Sequence, residues 1–203
     1  MLTINYKRSR VTISKESLEM FSRNSNEFLR HFVTVDEMWI HHNTPETKEQ
    51  SKQWAFPGER APKKAKMSLS TNKVMAMVFW DACGVTHIDY LKKVKAITGE
   101  YYSKLLDRSD IEAKTTAFGE KKCCYELLPH PAYSPDLAPC DYFLSPNLKK
   151  WLGGKRFGSN EEVITETNAY FEGLDKTYYL EGIKQLEKRW TKCIELKVDY
   201  VEK

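Results

Sequence analysis

Asp36 and Glu37 interrupt an otherwise apolar run, Phe-Val-Thr-Val-Asp-Glu-Met-Trp-Ile over Phe32–Ile40. A carboxylate costs several kcal/mol to desolvate unless it is paired or binds a metal, so acids inside such a run need a reason. Asp36 could leave the sheet as a ligand for a divalent cation, or the strand could end near Val35 and put both acids in a solvated turn. Asp141 poses the same choice. It follows Ala-Tyr-Ser-Pro-Asp-Leu-Ala-Pro-Cys, in which Pro135 and Pro139 stiffen a turn that delivers it to a helix start. A carboxylate there meets free backbone N–H groups, as an N-cap or as a ligand aimed outward. Arg60, Lys63, Lys64 and Lys66 form a basic cluster that could contact phosphate or only be solvated. The five cysteines, Cys83, Cys123, Cys124, Cys140 and Cys193, show no Cys-x-x-Cys and no His at metal spacing, so they read as reduced thiols without zinc.

The elements that must position these acids follow from periodicity. The density of β-branched and aromatic residues in Phe32–Ile40 predicts a strand covered on both faces. Before it, Ser14 predicts the N-cap of a helix over Ile13–Leu29, with Leu18, Phe21 and Phe28 on one face and Arg8 and Arg10 as a solvated basic lead-in. Residues 43–69 hold Pro45, Pro57, Gly58 and Pro62 and form a loop long enough to be functional. Val74–Trp80 and Thr86–Leu91 predict two more strands, joined by an Asp-Ala-Cys-Gly hairpin turn at Asp81–Gly84. Thr98 caps a helix over Gly99–Asp107, periodicity fails over 109–124 as in a linker, and Tyr125–Leu128 reads as a short strand. A helix from Leu144 to Leu152 has its opening turns distorted by Pro146. Ser159 with Glu162 makes a capping box for the next helix, and Tyr179, Ile183, Leu186, Trp190 and Ile194 stripe the last one.

A chain of 203 residues, 41% hydrophobic and 12% aromatic, fits one domain with a full core over 1–203. The net charge of +4 permits a nucleic-acid partner without requiring one. No apolar run is long enough to span a membrane and none follows Met1 in a signal-peptide pattern, which predicts a soluble cytosolic or nuclear protein. Two acids on separate elements behind three antiparallel strands suggest an α/β, RNase H-like nuclease fold, a mixed sheet flanked by helices.

Several segments resemble the transposases of mariner elements, in the Tc1/mariner superfamily: Phe-Val-Thr-Val-Asp-Glu-Met-Trp-Ile-His-His (32–42), Thr-Pro-Glu-Thr-Lys (44–48), Pro-Gly-Glu-Arg-Ala-Pro-Lys-Lys (57–64), Val-Phe-Trp-Asp (78–81), Ile-Thr-Gly-Glu-Tyr-Tyr (97–102), Leu-Leu-Pro-His-Pro-Ala-Tyr-Ser-Pro-Asp-Leu-Ala-Pro-Cys-Asp-Tyr (127–142) and the run at 182–193. The resemblance implies an RNase H-like domain in which three carboxylates hold two Mg2+ or Mn2+ ions for DNA cleavage and transfer. It makes Asp36 the first of these and Asp141 the third. It makes 43–69 a clamp loop, carrying Arg60, Lys63, Lys64 and Lys66, that reaches a second subunit and so implies a homodimer acting on DNA in the nucleus.

Two departures from the family pattern set the expectation for activity. The chain starts where the family's catalytic part starts, without the helix-turn-helix units that recognise element ends. The family's second catalytic Asp, in a fourth strand reading His-x-Asp-Asn-Ala, has no counterpart between Asp107 and Tyr125. Asp107 and Asp110 lie at a similar interval from Asp141 but on a helix end and a linker, so the match reads as coincidence. The expectation is a sheet without its fourth strand and a nuclease with little or no cleavage; the alternative is a DNA-binding or dimerisation module. Losing that strand would leave an edge of the first strand free, and Tyr125–Leu128 could slide in beside it, parallel, bringing Asp136 or Asp141 near Asp36.

Overall fold

The computed structural model describes residues 2–46, 49–52, 68–69, 71–91, 98–105, 126–196 and 200–201. The clamp-like cluster Arg60, Lys63, Lys64 and Lys66, the linker 109–124, and Asp107 and Asp110 lie outside these residues.

Helix α1 runs Ile4–Arg23, longer and earlier than the Ile13–Leu29 expected, because Thr3 supplies the cap by accepting from the Tyr6 N–H at 3.4 Å. Ser14 is therefore not a cap but a fully buried mid-helix residue. The chain breaks at Asn24, which leaves helical geometry and caps α2 (Ser25–His31) by accepting from the Glu27 N–H at 3.1 Å. The buried stripe of α1 is Arg10, Ser14, Ser17 and Phe21, so Arg10 is no solvated lead-in. Phe21 and Phe28 pack edge to face with each other and with Trp190, which ties both helices to the last helix.

The sheet has three strands among the described residues, β1 (Thr34–His41), β2 (Lys73–Asp81) and β3 (Gly84–Leu91), in the antiparallel order β1-β2-β3. The predicted hairpin is present: Asp81 Oδ1 accepts from the N–H groups of Cys83 and Gly84, and Gly84 takes φ 148°, where a side chain would be strained. Central β2 is buried from Ala76 to Trp80. Its Met77 and Phe79 pack against Leu105 of a helix over 99–105, which Thr98 caps through the Tyr101 N–H. Its Trp80 faces the larger core, and full burial of such a side chain contributes roughly 2–3 kcal/mol.

β1 differs from expectation. It alternates, with Met38 and Ile40 buried and Glu37 and Trp39 exposed, because the helix over 99–105 covers the sheet beside β2 and not the whole outer face of β1. Glu126–Leu128 form no strand, and Leu127 is 93% exposed. The segment's few residues end at Pro129, which lacks an N–H to continue a ladder, and nothing among the described residues pairs with the free side of β1.

A 3-10 turn (Pro135–Leu137) and a π turn (Cys140–Leu144) lead into α3 (Ser145–Leu152). Pro146 brings the expected distortion. It lacks the N–H that would reach the Tyr142 carbonyl, and the chain adopts the wider register, with Ser145 N–H donating to Cys140 O. α4 (Asn160–Glu172) starts at Ser159, which accepts from Glu162 N–H while Glu162 accepts from Gly158 N–H. α5 (Lys176–Leu196) buries Tyr179, Ile183, Leu186 and Trp190 as the stripe predicts, with Cys193 rather than Ile194 as the next buried position.

Candidate active site

Period-two alternation puts Asp36 on the same face of β1 as Met38 and Ile40, toward the core, and pairs it with Val78 of β2. Two residue pairs further along the ladder, on the same face, stand Thr34 and Trp80. These two grip Cys140: the Trp80 indole N–H donates to Cys140 Sγ at 3.1 Å and Thr34 Oγ1 lies 3.7 Å from it. Cys140 is thereby pinned against the start of β1, and its neighbour Asp141 comes to the same place. A core cysteine that the sequence did not reveal as an anchor thus ties the turn that carries Asp141 to the start of the strand that carries Asp36.

Burial pushes the Asp36 carboxyl up to about 6, and the charges of Asp141 and Glu37 add to the rise, against a Glu37 backbone N–H and Lys149. Burial also raises Asp141, while His130 and Lys149 act to lower it. Burial lowers His130 below the usual imidazole range despite the facing carboxylates of Asp141 and Asp136. Burial holds the Cys140 thiol up at about 12, so it remains protonated and packs as a small hydrophobe rather than serving as a ligand. Neither acid is joined to a cation in a described ion pair.

Asp136 behaves oppositely. It is 2% exposed and takes both guanidinium N–H donors of Arg10, itself 1% exposed, at 2.7 and 2.6 Å. The Val201 N–H adds a third donor at 2.8 Å, and Arg189 reaches the Asp136 carbonyl at 2.9 Å. Burial alone would raise this carboxyl, yet Arg10 and Val201 hold it below the ordinary range. Asp136 is a structural clasp between α1, the Pro-rich turn and the C-terminal residues, and not a second acid for the site.

Two further contacts hold the π turn. Tyr142 donates to the Gly182 carbonyl at 2.8 Å beneath the Arg189 guanidinium, and Phe143 lies so close to Gly182 that a Cβ there would sit 2.5 Å from its ring. Helical spacing would have exposed Arg10, since Phe21, Ser17, Ser14 and Arg10 recur at intervals of four, three and four. No comparable signal marks Cys140 or Gly182. Among the described residues, no three His, Cys, Asp or Glu side chains converge as a metal site.

The base of the 43–69 loop packs on the α3–α4 connection. Gly154 N–H donates to Thr44 O, Phe157 N–H to His42 O, and the His42 ring lies 2.8 Å from Asn160 Oδ1.

A family model for Transposase (partial DDE domain) matches residues 44–122, a span that contains neither Asp36 nor Asp141. Mariner Mos1 transposase of Drosophila mauritiana is 30% identical over 91% of this chain and 60% of its own length. Human histone-lysine N-methyltransferase SETMAR is 32% identical over 99% of this chain and 32% of its own. The structure of the Mos1 transposase paired-end complex with left transposon end superposes with a TM-score of 0.86 at 29% identity, covering 100% of this chain and 65% of that one. The chain is a mariner-family transposase catalytic domain. It spans about a third of one curated relative and under two thirds of the other. The mariner likeness also fixes the fold as RNase H-like α/β, with the sheet between the helix over 99–105 and the C-terminal helices.

The acid pair fits a hard divalent cation. Carboxylate oxygens suit Mg2+ and Mn2+, and a cation between Asp36 and Asp141 would relieve the mutual repulsion that helps to raise Asp36.

Proposed function

We propose that this mariner domain is a degenerate descendant of a metal-dependent DNA strand-cleaving enzyme, which binds DNA and one divalent ion but cleaves very poorly. The observation that carries the reading is the contact of Cys140, next to Asp141, with Thr34 and Trp80 at the start of the strand that carries Asp36, in a sequence without His-x-Asp-Asn-Ala between 107 and 125. Asp36 and Asp141 would hold the ion, which when bound supplies charge neutralisation at a phosphodiester and a more acidic water. The chain's own residues fix the two acids on rigid elements, keep Cys140 neutral behind them, and place Lys149 where it offsets their charge.

The missing acid has a second support. The match to SETMAR runs over 228 positions and that to Mos1 over 211 while covering 99% and 91% of a 203-residue chain, so both relatives carry segments with no counterpart here. Together with the absence of His-x-Asp-Asn-Ala between 107 and 125, this supports an internal deletion that removed the second acid. Without it, positioning of the attacking and leaving oxygens by two ions is lost.

Crystal structures of Mos1 paired-end complexes with Mg and with Mn support the choice of ion, and their transposon ends support DNA as the partner. Arg60, Lys63, Lys64 and Lys66 would contact phosphate, and the loop anchored at His42 and Thr44 would reach a second copy. With DNA as the partner and human and Drosophila relatives, the nucleus is the proposed location. A supercoiled plasmid incubated with the protein in Mg2+ or Mn2+ tests the reading: no nicking above background is expected, and robust nicking abolished by Asp36→Ala would refute it. The alternative of a purely DNA-binding module is favoured if the chain binds DNA with steep salt dependence and no ion affinity.

A further inference from the structure

β1 carries Asp36 and ends at His41, while the π turn that carries Asp141 runs directly into α3, which ends at Leu152. The far ends of these two acid-bearing elements are joined by the first residues of the 43–69 loop. Immediately after β1, His42 O accepts from the Phe157 N–H at 2.8 Å and Thr44 O from the Gly154 N–H at 2.9 Å, with Asn43 bridged antiparallel to Arg156. The His42 ring, 8% exposed, closes on Asn160 Oδ1 at 2.8 Å. Gln50 then reaches α3 itself. Its side-chain amide donates at 3.0 Å to Lys150 O, which also accepts from the Gly153 N–H at 3.3 Å. A donor on one of the last helical carbonyls caps that end of α3. The Gly153–Gly154 turn leaves room for the arm: a Cβ on Gly153 would lie 2.7 Å from Gln50 Oε1, and Gly154 takes φ 84° with Glu46 Cγ 3.2 Å from where a Cβ would be.

We propose that this arm is a brace between the two acid-bearing elements, and that Gln50 and Gly154 are positioning residues for the Asp36–Asp141 site. Leu148 and Leu152 bury α3 in the core, but apolar contact is non-directional. Hydrogen bonds at the two ends set the register of α3 against β1: Cys140 with Thr34 and Trp80 at the acid end, the arm at the other. One attachment leaves a hinge, whereas two hold the angle between the elements and with it the spacing of the carboxylates. The brace rests on the ion-binding reading above and adds to it residues that touch neither acid.

The test uses the 203-residue protein at neutral pH with Mn2+ alone as the probe, free Mn2+ being counted by electron paramagnetic resonance. The wild-type chain is expected to bind the ion and Asp36→Asn to lose it. Gln50→Ala, which removes the cap on Lys150 O, is expected to weaken Mn2+ binding by roughly threefold, and Gly154→Ala, which forces a side chain into the turn, by roughly tenfold. Asn24→Ala opens the N-cap of α2 away from the arm, and is expected to lower the melting temperature with Mn2+ affinity at the wild-type value. Wild-type affinity in both Gln50→Ala and Gly154→Ala overturns the brace while leaving the ion site standing. An equal fall in Asn24→Ala also overturns it, because general loosening then accounts for the effect. Failure of the wild-type chain to bind Mn2+, or unchanged binding in Asp36→Asn, removes the ion-binding reading, and the role of the brace with it.

Discussion

Asp136 and Asp141 lie five residues apart in one Pro-rich turn and have opposite fates. Asp136 is enclosed and satisfied by three N–H donors, two of them from a cation, and its carboxyl is held below the ordinary range. Asp141 has no described ion-pair partner and is held above it, as is Asp36 opposite. Burial pushes all three upward, so the neighbours and not the depth decide the sign. The difference separates a carboxylate whose charge is matched by the fold from two whose burial is not offset by a paired cation among the described residues.

The largest effect should come from breaking the clasp. Arg10→Ala leaves Asp136 buried without its cation and is expected to lose about 3–5 kcal/mol of stability, measured by urea unfolding. If the loss is under about 1 kcal/mol, the clasp is not structural and the contrast fails.

Next in size is the pH dependence of Asp36. Its folded value of about 6 lies above the unfolded one, so the native state binds the extra proton between about pH 4 and 6, and stability falls as pH rises through that window. The loss should be no more than about 3 kcal/mol by pH 7, less after solvent screening, and Asp36→Asn should abolish it. Asp136 acts in the opposite sense, its depressed carboxyl contributing stability that is lost as pH drops below the ordinary carboxylate range.

Gly182→Ala sharpens the geometry. Helix propensity favours Ala by about 1 kcal/mol, but the new Cβ would push Phe143 and the π turn, so a net loss of roughly 1–2 kcal/mol and weaker ion binding are expected. The smallest effect is the ion itself. Millimolar Mn2+ should stabilise the wild-type chain at pH 7 by about 1 kcal/mol in thermal melts and Asp141→Asn not at all. Equal stabilisation of both proteins would show that the acid pair is not the ion site.

Local chemistry made much of this molecule legible before any coordinates. The β2–β3 hairpin, the caps at Thr98 and Ser159, the distortion at Pro146 and the core stripe of α5 each depend on residues close in the chain. Asp36 and Asp141 were singled out by the mariner-like motifs around them and not by local chemistry, which left a solvated turn and an N-cap open. The start of α1 was misplaced because Thr3 and Ser14 are both good caps, and only the burial of Ser14 in the folded chain chose between them.

What the residues alone determined, then, is which groups carry charge, where helices can begin and that two acids stand in mariner-like surroundings. What tertiary structure decided is which acid is neutralised and which stays exposed to its own kind. Arg10, Asp136 and Val201, or Thr34, Trp80 and Cys140, meet only when distant segments pack, and the energy of a buried charge depends on those neighbours rather than on sequence position.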